Sequence, residues 1–319
     1  MYNLGIDLGG TGIKTGVVNE GYQIIGYGTA ETKIPRPGDD IMDDIAKACR
    51  EAVANAGLTM DDIEHVGIGT PGTANSFTGI LEFAGNLGLS NYPMVDALTQ
   101  RLGKKVYMEN DANAAAFGEA IAGAAKGVMN AVCITLGTGV GAGVIIDGKI
   151  FAGANYAGTE IGHTVIMVDG DQCTCGRRGC WERYASATAL ISQAKAAMMA
   201  DRDSAMWDIV GGDIDKVNGK TPFDAMHMGD KSGTAVVEQY IRYVACGVVN
   251  VVNVFQPDVL CIGGGVSKQG DTLLAPIQTI LETERFSRYS IKQTKLVTAT
   301  LGNDAGIVGA ANLYAGGLK

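Results

Sequence analysis

The sequence predicts an α/β fold made of two duplicated lobes, and three observations lead to it. A three-strand unit at the N-terminus returns at Val132. Each copy carries a glycine-rich turn after its first strand, Gly9-Gly10-Thr11-Gly12 in one and Gly137-Thr138-Gly139-Val140-Gly141 in the other. Helices and further strands follow each copy, the alternation expected of an α/β architecture.

The elements can be justified in chain order. Short apolar runs at Leu4–Leu8, Ile13–Val18 and Gln23–Gly28, separated by turn residues, predict consecutive hairpins. Residues 39–56 place Ile41, Ile45, Ala48 and Ala52 on one helical face, with Gly57 as the stop. Val66–Gly69 predicts a strand, Pro93 to Leu102 a short helix, and Lys105–Glu109 another strand. Asn110-Asp111 then offers a cap for an alanine-rich helix over 112–122. In the second copy, Val132–Leu136, Gly143–Ile146 and Lys149–Phe151 repeat the three strands. Leu8-Gly9 corresponds to Leu136-Gly137, and Val17-Val18 to Val144-Ile145 once one residue is gapped. Residues 184–255 read as mainly helical with an irregular middle around 201–232. A buried strand follows at Asp258–Ile262, then Gly263-Gly264-Gly265, a helix near 271–284, a strand at 295–300 and a helix from about Asp304.

A length of 319 residues favours two domains. No low-complexity linker marks their boundary, so the repeat places it: residues 1–112 with about 301–319 as the smaller lobe, and 113–300 as the larger. With 46% hydrophobic and 18% charged residues the chain can bury ample core. A net charge of −9 argues against a general nucleic-acid or anionic-membrane binder, since phosphate attraction needs a basic face. Met1 to Asp7 runs into an apolar strand without a basic leader, and no uninterrupted apolar run of about 18 residues occurs. A cytoplasmic protein is therefore expected. Of the seven cysteines, Cys49, Cys133, Cys246 and Cys261 stand alone and read as small buried hydrophobes.

Asp7 at a strand end, followed at once by glycines, suits a polyphosphate. Backbone N–H groups can close on phosphate oxygens, Thr11 adds a donor, and the carboxylate can take Mg²⁺ directly or through water. Neither turn has the Gly-Lys-Ser/Thr of a P-loop or the helix of a dinucleotide fingerprint. Either turn alone could be a plain hairpin. Two matched turns, one per lobe, form a candidate clamp across a cleft. The candidate phosphate-binding residues are Asp7, Gly9, Gly10, Thr11, Lys14, Gly137, Thr138 and Gly139, with Gly264 and Gly265 as a third close-approach point that could equally be a strand-to-helix turn.

Asp111 follows a strand and opens a helix, so it can be an N-cap. It can also be the base that phosphoryl transfer requires beside the attacking hydroxyl, with Asn110 orienting the acceptor. His163, Cys173, Cys175 and Cys180 lie in the pattern His-x9-Cys-x-Cys-x4-Cys. Three thiolates and one imidazole make a closed tetrahedral zinc set, a structural site rather than a catalytic one. A redox switch is the competing reading, although no Cys-x-x-Cys is present.

Taken together these segments resemble the ROK family of repressors, uncharacterised reading frames and sugar kinases, most closely its bacterial glucokinase branch. The resemblance covers nearly the whole chain. Its most specific parts are Cys173-Thr174-Cys175-Gly176-Arg177-Arg178-Gly179-Cys180-Trp181-Glu182 and Glu160-Ile161-Gly162-His163. Asp7-Leu8-Gly9-Gly10-Thr11, Gly69-Thr70-Pro71-Gly72, Glu109-Asn110-Asp111-Ala112-Asn113 and the 136–141 turn match too. The resemblance implies a duplicated actin-like (RNase H-like) ATPase fold with an interlobe cleft, usually dimeric, that takes ATP with Mg²⁺ and a hexose. It implies Asp111 as the base, with Asn86, Asn110, Glu160, His163, Glu182 and Gly72 on the sugar side, and the cysteines with His163 as the family's zinc site. Two positions depart from the pattern. Leu89 stands where many relatives carry an aromatic residue, and Thr159 where a Gly often precedes the Glu. Both bear on which sugar is taken, so kinases for N-acetylmannosamine, allose or fructose stay open beside one for glucose. A sugar-sensing regulator would need an added helix-turn-helix, for which the strand starting by residue 4 leaves no room.

Overall fold

The computed structural model describes residues 1–317. The N-terminal strands are β1 (Tyr2–Leu8), β2 (Gly12–Asn19) and β3 (Ile24–Glu31), and α1 spans Gly38–Asn55. Then come β4 (Ile63–Thr70), three short strands β5 (Thr73–Asn75), β6 (Ile80–Ala84) and β7 (Leu89–Tyr92), α2 (Met94–Leu102), β8 (Val106–Asn110) and α3 (Asp111–Ile121). The second copy supplies β9 (Ala131–Leu136), β10 (Val140–Ile146) and β11 (Lys149–Ile150). Helices α4 (Glu182–Ala185), α5 (Ala187–Ala200), α6 (Ala205–Ile209), α7 (Thr221–His227) and α8 (Lys231–Phe255) follow. The described chain closes with β12 (Val259–Gly263), α9 (Asp271–Glu284), β13 (Lys295–Thr298) and α10 (Ala305–Ala311).

The two large sheets share one topology. The first has the order β3-β2-β1-β4-β8 and the second β11-β10-β9-β12-β13, so each is third-second-first-fourth-fifth in its own copy. In the first, β1 pairs antiparallel with β2 and parallel with β4, which pairs parallel with β8. This is an α/β fold of duplicated mixed sheets, as the repeat predicted. The chain forms two compact units. One holds residues 1–133, 143–159 and the chain from Thr300 on; the other holds 134–142 and 160–299, with the divisions falling inside β9 and β10.

In the first unit α1 buries Ile41, Met42, Ile45, Ala48, Cys49 and Ala52 in a core that also holds Leu4, Ile6, Val66 and Ile68. Gly57 ends the helix region at φ 72, with the Leu58 N–H donating back to Val53 O at 3.0 Å. On the sheet's other side α10 lies so close that a Cβ at Gly5 or Gly67 would overlap the carbonyl oxygens of Ile307 and Ala310. A Cβ at Gly309 would in the same way overlap Ala114 O on α3.

In the second unit α8 is the central helix. It is long and apolar enough to cross a membrane by length and composition, yet 61% of its most apolar window is buried within the protein. Trp181, itself wholly buried, lies where a Cβ at Gly247 would be, and its indole N–H donates to Tyr243 O at 2.7 Å.

Two features differ from the sequence reading. The stretch 73–92 forms a small antiparallel sheet β5-β6-β7 that no periodicity announced, because its strands are only three to five residues long. The irregular middle around 201–232 contains α6 and α7, each capped locally by Ser204 or led by Pro222.

Candidate functional site

The first unit gathers one group of the sequence-predicted residues at the C-terminal ends of β1, β4 and β8. Asp7 lies opposite Lys14 in the β1–β2 ladder. The turn between them is closed by the Gly9 N–H donating to Gly12 O at 2.9 Å, and Thr32 Oγ1 donates to Gly9 O at 2.7 Å. Thr11 and Lys14 are exposed. A Cβ on Gly10 would sit 3.6 Å from Asn86 Nδ2, which places the turn beside that candidate sugar residue. Gly72 has φ 92, and a Cβ there would overlap Phe83 O; its own carbonyl accepts from Asn110 Nδ2 at 3.2 Å. Leu89, in contrast, is buried in the unit's core.

Asp111 does not cap α3. That role falls to Asn110, with extended backbone and a side-chain oxygen that accepts from the Ala112 and Asn113 N–H groups at 3.0 and 3.3 Å. Asp111 is the first helical residue, and its Oδ1 accepts from the Ala112 N–H at 2.9 Å. Burial holds its carboxyl above the ordinary aspartate range, against the pull of that N–H. Asp7 is raised as well, by burial first; Lys14 opposes the shift and the nearby charge of Asp111 adds to it. Two carboxylates thus share one neighbourhood.

Sequence reasoning missed Glu109 as more than a motif member. It is fully buried; Oε1 accepts from the Asn110 N–H at 2.9 Å and from Asn113 Nδ2 at 3.0 Å, while Oε2 has no hydrogen-bond partner. Burial raises its carboxyl too. The available signal was the four-residue spacing from Glu109 to Asn113 across the strand-helix junction.

The second unit gathers the other group around Val140. The Gly137 N–H donates to Gly139 O at 3.0 Å, one residue tighter than its counterpart at Gly9. Glu182 Oε2 accepts from the Val140 N–H at 3.0 Å, and a Cβ at Gly139 would overlap that same carboxylate oxygen. Gly162, inside the Glu160–His163 segment, could not carry a Cβ without overlapping Val140 O. Thr188 Oγ1 donates to Thr138 O at 2.8 Å, fastening α5 to the turn. Gly264 has φ 84 and packs on the Leu136 backbone, whereas the space above Gly265 is open. The packing of Gly264 is a structural reason for that glycine.

The metal-ligand set also lies in this unit. The candidate ligand atoms of His163, Cys173, Cys175 and Cys180 all fall within 4.8 Å of one another. Cys173 Sγ is 3.6 Å from His163 Nδ1, and Cys175 Sγ is 3.6 Å from Cys180 Sγ. Zinc–sulfur bonds of about 2.3 Å in a tetrahedron put neighbouring sulfurs roughly 3.7 Å apart, so the donor set and spacing fit zinc. Burial and the adjacent thiols push Cys180 up to about 12, a position that a bound cation would reverse. A tight turn holds the ligands: the Cys173 N–H donates to Arg177 O at 2.8 Å, and Gly176 has φ 91. Nδ1 of His163 is the ring nitrogen beside the Cys173 sulfur.

Known proteins resemble this chain in sequence and fold. Residues 3–316 match the ROK family. The glucokinase of Thermotoga maritima is 34% identical over 311 residues, covering 97% of this chain and 96% of that one. The glucokinase of Streptomyces coelicolor is 36% identical over 312 residues, with 97% and 96% covered. A crystal structure of a ROK family glucokinase from Streptomyces griseus, in complex with glucose and AMPPNP, superposes with a TM-score of 0.82 at 36% identity, covering 98% of this chain and 99% of that one. Likeness at this level in both sequence and fold, carried through both copies of the duplicated sheet, means that the chain belongs to the ROK family.

Proposed function

We propose that this protein is an ATP-dependent hexokinase of the glucokinase type, converting glucose to glucose 6-phosphate with Asp111 as the base. The observation that carries this reading is the division of labour at the head of α3. Asn110 satisfies the helix N-terminus, so the Asp111 carboxylate keeps acceptor capacity for a substrate hydroxyl. The 36% identical glucokinase crystallised with glucose and AMPPNP supports the choice of both substrates.

A sugar hydroxyl attacks the γ-phosphorus in line, its proton passing to Asp111 as the new P–O bond forms and the bond to ADP breaks. Asn86, Asn110, Glu160, His163 and Glu182 hold the other hydroxyls, with Gly72 shaping the sugar side. His163 offers Nε2 to the sugar while Nδ1 faces the cysteines. The backbone N–H groups of the 9–12 and 137–141 turns, with Thr11, Lys14 and Thr138, take the phosphates, and Gly264 and Gly265 the nucleoside side. Asp7 would hold Mg²⁺ directly or through water, and the cation would supply charge that offsets the phosphate oxygens. His163, Cys173, Cys175 and Cys180 would hold zinc, which would brace the segment that carries His163 and Glu182 without taking part in the chemistry.

A coupled ADP-release assay over a panel of hexoses tests the reading. ADP release should require sugar, with glucose turned over best. Equal ADP release without any sugar would make the protein an ATPase, and silence with every hexose would leave the regulator branch of the family as its place.

A further inference from the structure

We propose that Thr159 is a positioning residue for the sugar: its hydroxyl ties the chain immediately ahead of Glu160 to the first turn of α3, which presets the segment that offers Glu160 and His163. The proposal rests on the kinase reading and adds to it a residue that touches no substrate.

Thr159 sits at φ 67, in the left-handed region, where a β-branched side chain is strained and glycine is not. Glycine would adopt this backbone freely. A strained threonine persists where the surroundings hold it, and here they do. Its Oγ1 donates to Asn113 Oδ1 at 3.2 Å. Asn113 is buried at 2% exposure and donates through Nδ2 to the wholly buried Glu109 at 3.0 Å. That chain of bonds ends beside Asp111, because Glu109 also accepts from the Asn110 N–H.

The loop before Thr159 is shaped to deliver it. The Gly158 N–H donates to Ala152 O at 2.9 Å, closing residues 152–158 on themselves, and Gly153 and Tyr156 take φ 78 and 58. Directly after Thr159, Glu160 leads into a single helical turn over Ile161–His163, with the His163 N–H donating to Glu160 O at 3.0 Å. The backbone direction at Thr159 therefore sets how Glu160 leaves the loop. A glycine reaches the same φ but also many others, so it exchanges strain for freedom.

The test compares Thr159→Gly and Thr159→Ser with the parent. Thr159→Gly should raise the hexose KM about fivefold, the equivalent of one modest hydrogen bond, with kcat and the ATP KM within about twofold. Its melting temperature should hold or rise as the strain is relieved. Thr159→Ser keeps the hydroxyl and should restore the hexose KM. Amide hydrogen exchange over residues 152–163, read without any substrate, should quicken in Thr159→Gly and not in Thr159→Ser. An unchanged hexose KM in Thr159→Gly, or a serine variant that behaves like glycine, overturns the proposal. If the parent phosphorylates no hexose the kinase reading falls by itself. Exchange then judges the tether: equal rates in parent and glycine variant reject it, and faster exchange in the glycine variant alone upholds it.

Discussion

Asp111 stands one residue past the cap of α3, and that step changes what its carboxylate can do. A capping aspartate spends its oxygens on helix N–H groups; here Asn110 takes most of that load. Asp111→Asn should lower kcat by at least about 10²-fold, the low end of what a positioned base contributes, with the ATP KM nearly unchanged. Steady-state kinetics would check both, and an active variant would remove Asp111 from the mechanism. The same substitution should leave thermal stability equal or higher. The sign follows from burial: the folded-state pKa lies above the unfolded one, so this group favours the fold at low pH. That contribution is lost as pH rises through the folded pKa, leaving an ionised, partly desolvated group at neutral pH. On the proposed role as base, the raised carboxyl sets the acidic limb of kcat/KM. Activity should fall, as pH drops, at a pH above the ordinary aspartate range, and that limb should be absent from the residual activity of the Asn variant.

At the scale of elements, close approach of helix to sheet and helix to helix depends on side chains that are missing. α10 can lie against β1, β4 and α3 because Gly5, Gly67 and Gly309 present bare backbone. Gly309→Ala would drive a methyl into the Ala114 carbonyl, where no flexible side chain can yield. Overpacking usually costs about 1–3 kcal/mol, and backbone on both sides puts this case at roughly 3 kcal/mol or more. Chemical denaturation should show the loss as a lower midpoint with an unchanged slope. A variant as stable as the parent would mean that α10 can shift. None of this was visible in the spacing of the glycines, which reads equally well as turns. The strand-turn-strand pattern of β1-β2-β3 and its return at β9-β10-β11 were legible, because alternation of apolar runs with turn residues is a local signal. The β5-β6-β7 sheet was not, since strands this short take their pairing from neighbours rather than from their own composition.

At the scale of the whole molecule, the second unit holds a His/Cys cluster that fits zinc as well as a core, and on the proposed reading the metal supports the fold. Cys175 is the exposed member of the ligand set, so it can be changed with little direct packing loss. Cys175→Ala should release zinc, measured by atomic absorption on the purified protein, and lower the melting temperature. It should also raise the hexose KM through the segment bearing His163 and Glu182. Full sugar affinity in a metal-free protein would contradict that coupling. The sequence alone determined the duplicated α/β plan and the two glycine turns, and it marked out the carboxylate at 111 and the His163, Cys173, Cys175 and Cys180 cluster that the structure brings together. Each of these is written in local spacing, and spacing survives without coordinates. Tertiary structure alone decided that Asn110 rather than Asp111 caps α3, that Glu182 reaches the 137–141 turn, that Gly264 is glycine for packing, and that a strained Thr159 is held through Asn113 to a buried Glu109. Those outcomes are contacts between residues distant in the chain or choices between adjacent side chains. Packing selects among them on free-energy differences that no local pattern encodes.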